Sequence, residues 1–138
     1  MRDRRLIWHG VVQFTLGLVI GAAVPVFANP RMALSAHVGT LMVGTFVAVV
    51  GMVWHHVTLP PAHEAAAFWL LLFGSYVTAG ALVLAASFGT SALTPIAGAG
   101  HRAAPWQELI TNAAFVSSSL AVLIACGLLV LGLRPPHR

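Results

Sequence analysis

The chain has 138 residues, enough for one domain, and is 59% hydrophobic and only 7% charged, against roughly 25% charged in a soluble domain. Seven arginines, no lysine and three acids give a formal charge of +4. That is too little charge to solvate a fold of this size, and no basic stripe interleaved with aromatics tracks a phosphate backbone, so a soluble enzyme, a disordered tail and a nucleic-acid binder are excluded.

Four apolar stretches are each long enough to cross a bilayer core, which takes about 20 residues. In chain order they run over 6–28, 33–57, 65–88 and 109–133. The N-terminus, Met1-Arg2-Asp3-Arg4-Arg5, resembles the charged start of a signal peptide. The apolar run behind it is too long for one and reads as a retained first span. Pro25 should kink or end that span. Pro30, Pro60-Pro61 and Pro105 separate the spans, and Pro135-Pro136 closes the last. The connection 89–107 is long and rich in Gly, Ala and Pro, and long loops in small proteins are often functional. The expected architecture is an all-α, polytopic four-transmembrane-helix bundle forming a single membrane domain over 1–138. Arg2, Arg4, Arg5, Arg134 and Arg138 gather at the termini, and only Arg31 and Arg102 lie at the other side, so both termini are expected to be cytoplasmic. Trp8, Trp54 and Trp69 then form one aromatic belt, with Trp106 in the other.

Polarity within the spans is patterned. His37, Gly44, Ala48, Gly51 and His55 share one face of the second span, and His9, Gln13, Gly17 and Gly21 share one face of the first. Small residues on such a face let a second backbone approach, or floor a slot for a flat ligand. Asn29, Arg31, His37, His101, Trp106 and Glu108 all fall toward the end opposite the termini, and Glu108-Asn112-Phe115-Ser119 form a polar face on the fourth span. Ionisable groups at membrane depth are functional candidates. Bland readings stand beside these: Arg31 as an interfacial anchor, Glu108 as a first-turn helix charge, Ser117-Ser118-Ser119 as helix–helix glue, and Cys126 as a buried structural thiol. No CxxC, HExxH or CxxCH motif is present. A noncovalent haem b needs an axial histidine and an apolar slot, and His37 above Gly44 would supply both.

Three segments carry a family likeness: Leu6-Ile7-Trp8-His9-Gly10, Asn29-Pro30-Arg31-Met32-Ala33-Leu34-Ser35-Ala36-His37, and Pro95-Ile96-Ala97-Gly98-Ala99-Gly100. Together with Ala104 to Glu108 they resemble hydroxylaminobenzene mutase, and the likeness spans nearly the whole chain. It implies a membrane isomerase that moves the N-hydroxyl oxygen of hydroxylaminobenzene-type compounds, formed in nitroarene degradation, to the ring, giving 2-aminophenol-type products. The chemistry asks for an acid at the departing oxygen, with Glu108 and His37 as candidates, and for a π face near a cationic arene, which Trp106 can offer. Asn29, Arg31, Gly44 and His101 complete the expected substrate site, with Arg31 orienting Glu108 or a carbonyl and the 89–107 loop closing over it. The stoichiometry requires no cofactor. Were haem b present, His37 would be its axial ligand and the iron a Lewis acid. The implied partners are a small aromatic hydroxylamine and the lipid bilayer, with no nucleic acid. The implied setting is the inner membrane, as a multi-pass homo-oligomer with a trimer as the first guess. The alternatives are a small haem-binding electron-transfer membrane protein, with His9 and His55 as ligands, and a transporter subunit.

Overall fold

A computed structural model describes residues 1–135; Pro136, His137 and Arg138 lie outside the described residues. Every regular element among them is helical: α1 (Arg2–Ala23) and a 3-10 turn (Val24–Val26), α2 (Pro30–Val53) and a second 3-10 turn (Trp54–His56), α3 (Pro61–Phe88), the one-turn α4 (Pro95–Gly98), and α5 (Pro105–Gly132). The four long helices have the length and apolarity to cross a membrane. Pro30, Pro61, Pro95 and Pro105 each open a helix, the position where a missing N–H costs nothing and the fixed φ is already helical. Pro25 sits in the turn that ends α1.

All four long helices start three or four residues earlier than hydropathy places them. α1 begins at Arg2, α2 at Pro30, α3 at Pro61 and α5 at Pro105, because first turns that carry proline and polar residues are helical without being apolar. With 28 residues, α3 and α5 are about 42 Å long, beyond the ~30 Å hydrocarbon core, so their ends reach into the headgroup zone.

The helices pack in two pairs, α1 on α2 and α3 on α5, with α2 against α3 as the seam between them. The first pair meets backbone to backbone. A Cβ at Gly44 would sit 2.6 Å from the Phe14 nitrogen, one at Gly51 2.7 Å from that of Ile7, and one at Gly10 would strike the Ala48 nitrogen. Between helices already in lipid the hydrophobic effect contributes little, so this close van der Waals approach is what holds them. The stripe expected on α1 is divided between neighbours. Gly17 and Gly21 face α2, whereas His9 and Gln13 face α3. The second pair meets through side chains: Phe68, Leu71, Leu72, Ala125 and Leu129 form a core with Leu6, Val47 and Trp54. Large apolar side chains such as Leu18, Val19 and Leu123 project outward, where lipid tails would meet them.

Both described chain ends lie at the same end of the bundle as the α2–α3 connection. Arg2 Nη1 pairs with Glu64 Oε1 at 2.8 Å, Trp54 Nε1 donates to the same oxygen at 3.1 Å, and the Thr58 N–H donates to the Gly132 carbonyl at 2.8 Å. Trp54 is thus a core residue, 6% exposed, rather than part of the belt; Trp8 and Trp69 are 61% and 62% exposed. Cys126 is half-buried rather than enclosed.

Candidate active site

At the end away from the termini, residues 89–104 fold down onto the bundle and are held by polar side chains from the start of α2 and from α5. Asn29 is fully buried. Its Oδ1 caps α2 by accepting the Met32 N–H at 3.1 Å, its Nδ2 donates to the carbonyls of Ala97 and Gly98 at 3.0 and 3.1 Å, and its backbone N–H donates to Ala86. One side chain therefore ties the start of α2 to α4. Glu108 works from the other side: its two carboxylate oxygens accept the backbone N–H groups of Ser91 at 2.8 Å and Ala92 at 3.2 Å. His101 Nδ1 donates to the Gly98 carbonyl at 3.0 Å, and its ring covers Gly89. Gly89, at φ +73°, ends α3 in the left-handed conformation that a side chain would strain. Ala99 takes the same region at φ +51° without that freedom, a strain of about 1 kcal/mol that the surrounding hydrogen bonds must offset.

The other expected site residues fall apart from this set. Arg31 is exposed and makes no ion pair with Glu108; among the described residues the salt bridges are Met1–Asp3 and Arg2–Glu64. The expected pairing of Arg31 with Glu108 is therefore absent, because both Glu108 oxygens are turned into the loop. Arg31 instead edges a groove of about 410 Å³ with Ser35 and Leu93–Ala97. A second groove, of about 470 Å³, opens on the other side of Leu93 and Thr94 against Phe115, Val116 and Ser119, the polar face read on the last span. Trp106 is 57% exposed and lies edge-on to Phe88, ring centres 5.6 Å apart. Gly44 is covered by α1. The slot expected over Gly44, Ala48 and Gly51 is filled by the α1 backbone, so within one chain this stripe has no room for a ligand.

His37 lies deeper on α2, half-buried against α1. Its Nδ1 is 2.7 Å from the Gly17 carbonyl. A carbonyl only accepts, so Nδ1 carries a proton and Nε2 is the nitrogen left to act. Gly21 makes the space: a Cβ there would collide with the His37 ring. An imidazole held through one nitrogen by a backbone carbonyl is the arrangement that fixes a metal-bound or acid–base histidine. No group of three or more His, Cys, Asp or Glu able to hold a bare metal ion occurs among the described residues. A haem is different, needing one such histidine and apolar walls; His37 supplies the histidine, while the apolar slot expected beside it over Gly44 is filled by α1 within one chain.

A third polar group was only half visible in the sequence. Midway along α1, His9 Nδ1 lies 2.9 Å from the Tyr76 hydroxyl, and the buried Gln13 donates from Nε2 to Ser75 Oγ at 2.8 Å. The α1 members stood out by spacing. Tyr76 did not, although a lone tyrosine in the chain, placed inside an apolar span, was the available signal. His55 and His56 are exposed, their ring centres 3.9 Å apart and the planes tilted by 44°, and neither is paired with His9 among the described residues.

Residues 2–134 match the family model described as Styrene oxide isomerase. The chain is 36% identical over 132 residues to Hydroxylaminobenzene mutase HabB of Ectopseudomonas oleovorans, covering 95% of this chain and 80% of that protein. It is 38% identical over 125 residues to Hydroxylaminobenzene mutase HabA of the same organism, covering 90% and 93%. No solved structure matches.

Proposed function

The chain belongs to the styrene oxide isomerase family and is a multi-pass membrane isomerase; from that premise we propose that it converts hydroxylaminobenzene-type substrates to ortho-aminophenols. The likeness to two hydroxylaminobenzene mutases over nearly the full chain supports the substrate class. The observation that carries the mechanism is His37, with Nδ1 tied to Gly17 and Nε2 left without a protein partner among the described residues.

The difficult step is heterolysis of N–O. Protonating the oxygen lets it leave as water, and the arene carries the positive charge until oxygen returns at the ortho carbon. Protonated His37 can deliver that proton from Nε2 while Gly17 keeps the ring in place. Glu108 is the second candidate acid. In the arrangement described, both its oxygens hold Ser91 and Ala92, so it would act only with the loop displaced, and its role here is to fasten the cover over this end. Trp106 and Phe88 offer π faces near the same end. Asn29 and His101 fix α4, and Arg31 with Ser35 lines the groove beside it. Lipid around the site keeps bulk water from capturing the cation. Were haem b bound, His37 Nε2 would hold it instead of delivering the proton, the haem would supply a Lewis acid for the N–O oxygen, and Glu108 would remain the proton donor. Cytoplasmic termini, the inner membrane and self-association, with a trimer as first guess, belong to this proposal.

The test is an anoxic incubation of purified protein with hydroxylaminobenzene and no reductant. Formation of 2-aminophenol is the expected result. Consumption of styrene oxide with no 2-aminophenol would move the substrate class to epoxides. Both reactions begin by loading an oxygen whose departure leaves an aryl-stabilised cation. The haem reading is checked separately: purified protein should show a Soret band, lost in His37→Gln, and a colourless active enzyme would discard it.

A further inference from the structure

Charge at the end of the bundle that carries both described chain ends does not balance within the protein. The acids there are Asp3 and Glu64. Asp3 faces the N-terminal ammonium at 3.0 Å, and Glu64 faces Arg2 at 2.8 Å. Arg4, Arg5 and Arg134 are exposed and make no ion pair among the described residues. Arg4 and Arg5 meet in one groove of about 370 Å³ with Met1 and Trp8. Its lining is mostly apolar surface although two of its four residues are arginines, so their stems and the Trp8 ring form the walls. Trp8 is 61% exposed, and among the described residues the indole N–H bonded within the protein is that of Trp54. Further along α1 the face Arg4, Trp8, Val11, Thr15 and Leu18 continues outward, with Val11 56% and Leu18 52% exposed and the Thr15 hydroxyl satisfied by the Val11 carbonyl. Arg4 to Leu18 is about 21 Å, enough to run from headgroup level into the hydrocarbon.

We propose that this face is a binding site for one anionic phospholipid, with its phosphate between the Arg4 and Arg5 guanidinium groups, its ester carbonyl at the Trp8 N–H and an acyl chain along Val11 and Leu18. Guanidinium groups bind phosphate oxygens through charge-assisted hydrogen bonds, and an indole suits the ester level just beneath. A free phosphate answers the arginines but leaves the apolar track below them uncovered. A zwitterionic lipid brings a cation of its own beside them. A second copy in the same orientation brings another arginine surplus to the same depth. The site involves neither His37 nor Glu108 and does not depend on the isomerase reading.

The experiment reconstitutes full-length protein in phosphatidylcholine vesicles doped with increasing dibrominated phosphatidylglycerol, or with the same amounts of dibrominated phosphatidylcholine. Bromine quenches nearby indoles, and the Trp8 share of the emission is the part missing in Trp8→Phe. Expected is saturable quenching of that share, with phosphatidylglycerol preferred roughly 25-fold, about fivefold from each arginine. Arg4→Gln and Arg5→Gln should each lower the preference by that factor, and the double variant should make the two lipids equivalent. Arg134→Gln removes the same charge from the same end but outside the groove, and should leave the preference nearly unchanged. A loss in Arg134→Gln as large as in Arg4→Gln would mean a diffuse surface field rather than a site and overturns the proposal. Equal quenching by the two lipids in wild type overturns it as well, and so does Trp8 emission quenched by neither, the result of a second copy over the groove.

Discussion

The polar side chains of the loop end and those of the α1 face are equally deep in the sequence pattern but differ in what they have left over. Around residues 89–104, Asn29 uses its oxygen and its amide nitrogen, and Glu108 uses both oxygens, all on backbone groups. At the faces of α1, His37 of α2 and His9 of α1 each engage one ring nitrogen, on Gly17 and on Tyr76, and keep the other. A loop crossing the end of an apolar bundle has backbone groups that must be satisfied, and the nearest polar side chains are consumed in doing so. Polarity near a membrane therefore divides into groups that hold the fold and groups that remain available, and the division depends on spare donors and acceptors rather than on residue type.

That contrast can be broken from either side. The largest effect should come from Gly44→Leu. A side chain there meets the backbone of α1, so the hairpin should separate and the protein aggregate on size-exclusion; a monodisperse, heat-stable variant would refute the backbone-contact seam. His37→Gln keeps a donor for the Gly17 carbonyl but loses the imidazole that can carry the proton. Turnover should fall about 10²- to 10⁴-fold with stability little changed, and near-normal turnover would remove His37 from the chemistry. Asn29→Ala deletes a helix cap and two buried loop bonds, and about 2–4 kcal/mol of stability should go with them. A melting temperature matching wild type would show that the loop is held by something else. Glu108→Gln retains one acceptor of two. Proteolysis within residues 91–104 should rise several-fold at a stability cost of about 1 kcal/mol, while retained turnover would confine Glu108 to fastening the loop. The smallest effect belongs to Ala99→Gly: relief of the φ +51° strain should be neutral or stabilising by up to about 1 kcal/mol, and a clear loss would mean that the methyl group itself makes a needed contact.

Much of this was legible beforehand. The four spans and their proline breaks follow from apolar length and from the missing proline N–H, and the Gly44-Ala48-Gly51 face follows from helical spacing. What spacing could not decide was what covers a small-residue face. A ligand slot and a neighbouring backbone ask for the same glycines, and here Gly10, absent from the α1 stripe as read, lies opposite Gly44 and Ala48. Nor could sequence show where Glu108 points. Its acceptors are backbone N–H groups, identical at every residue, so the contact with Ser91 and Ala92 leaves no compositional trace. Tyr76 was missed because its partner His9 is 67 positions away and neither motif nor period links them.

The glycine seam also bears on how the protein is made. Nearly all of its contacts join α1 to α2 across one short turn, and such local contacts close early and at low entropic cost. The first hairpin should therefore zip together while the ribosome is still translating α3, giving later helices a finished surface to dock on. Cysteines introduced in facing α1 and α2 positions should crosslink in stalled nascent chains that end before α5. Crosslinking that awaits the complete chain would show instead that the second pair is needed to draw the first together.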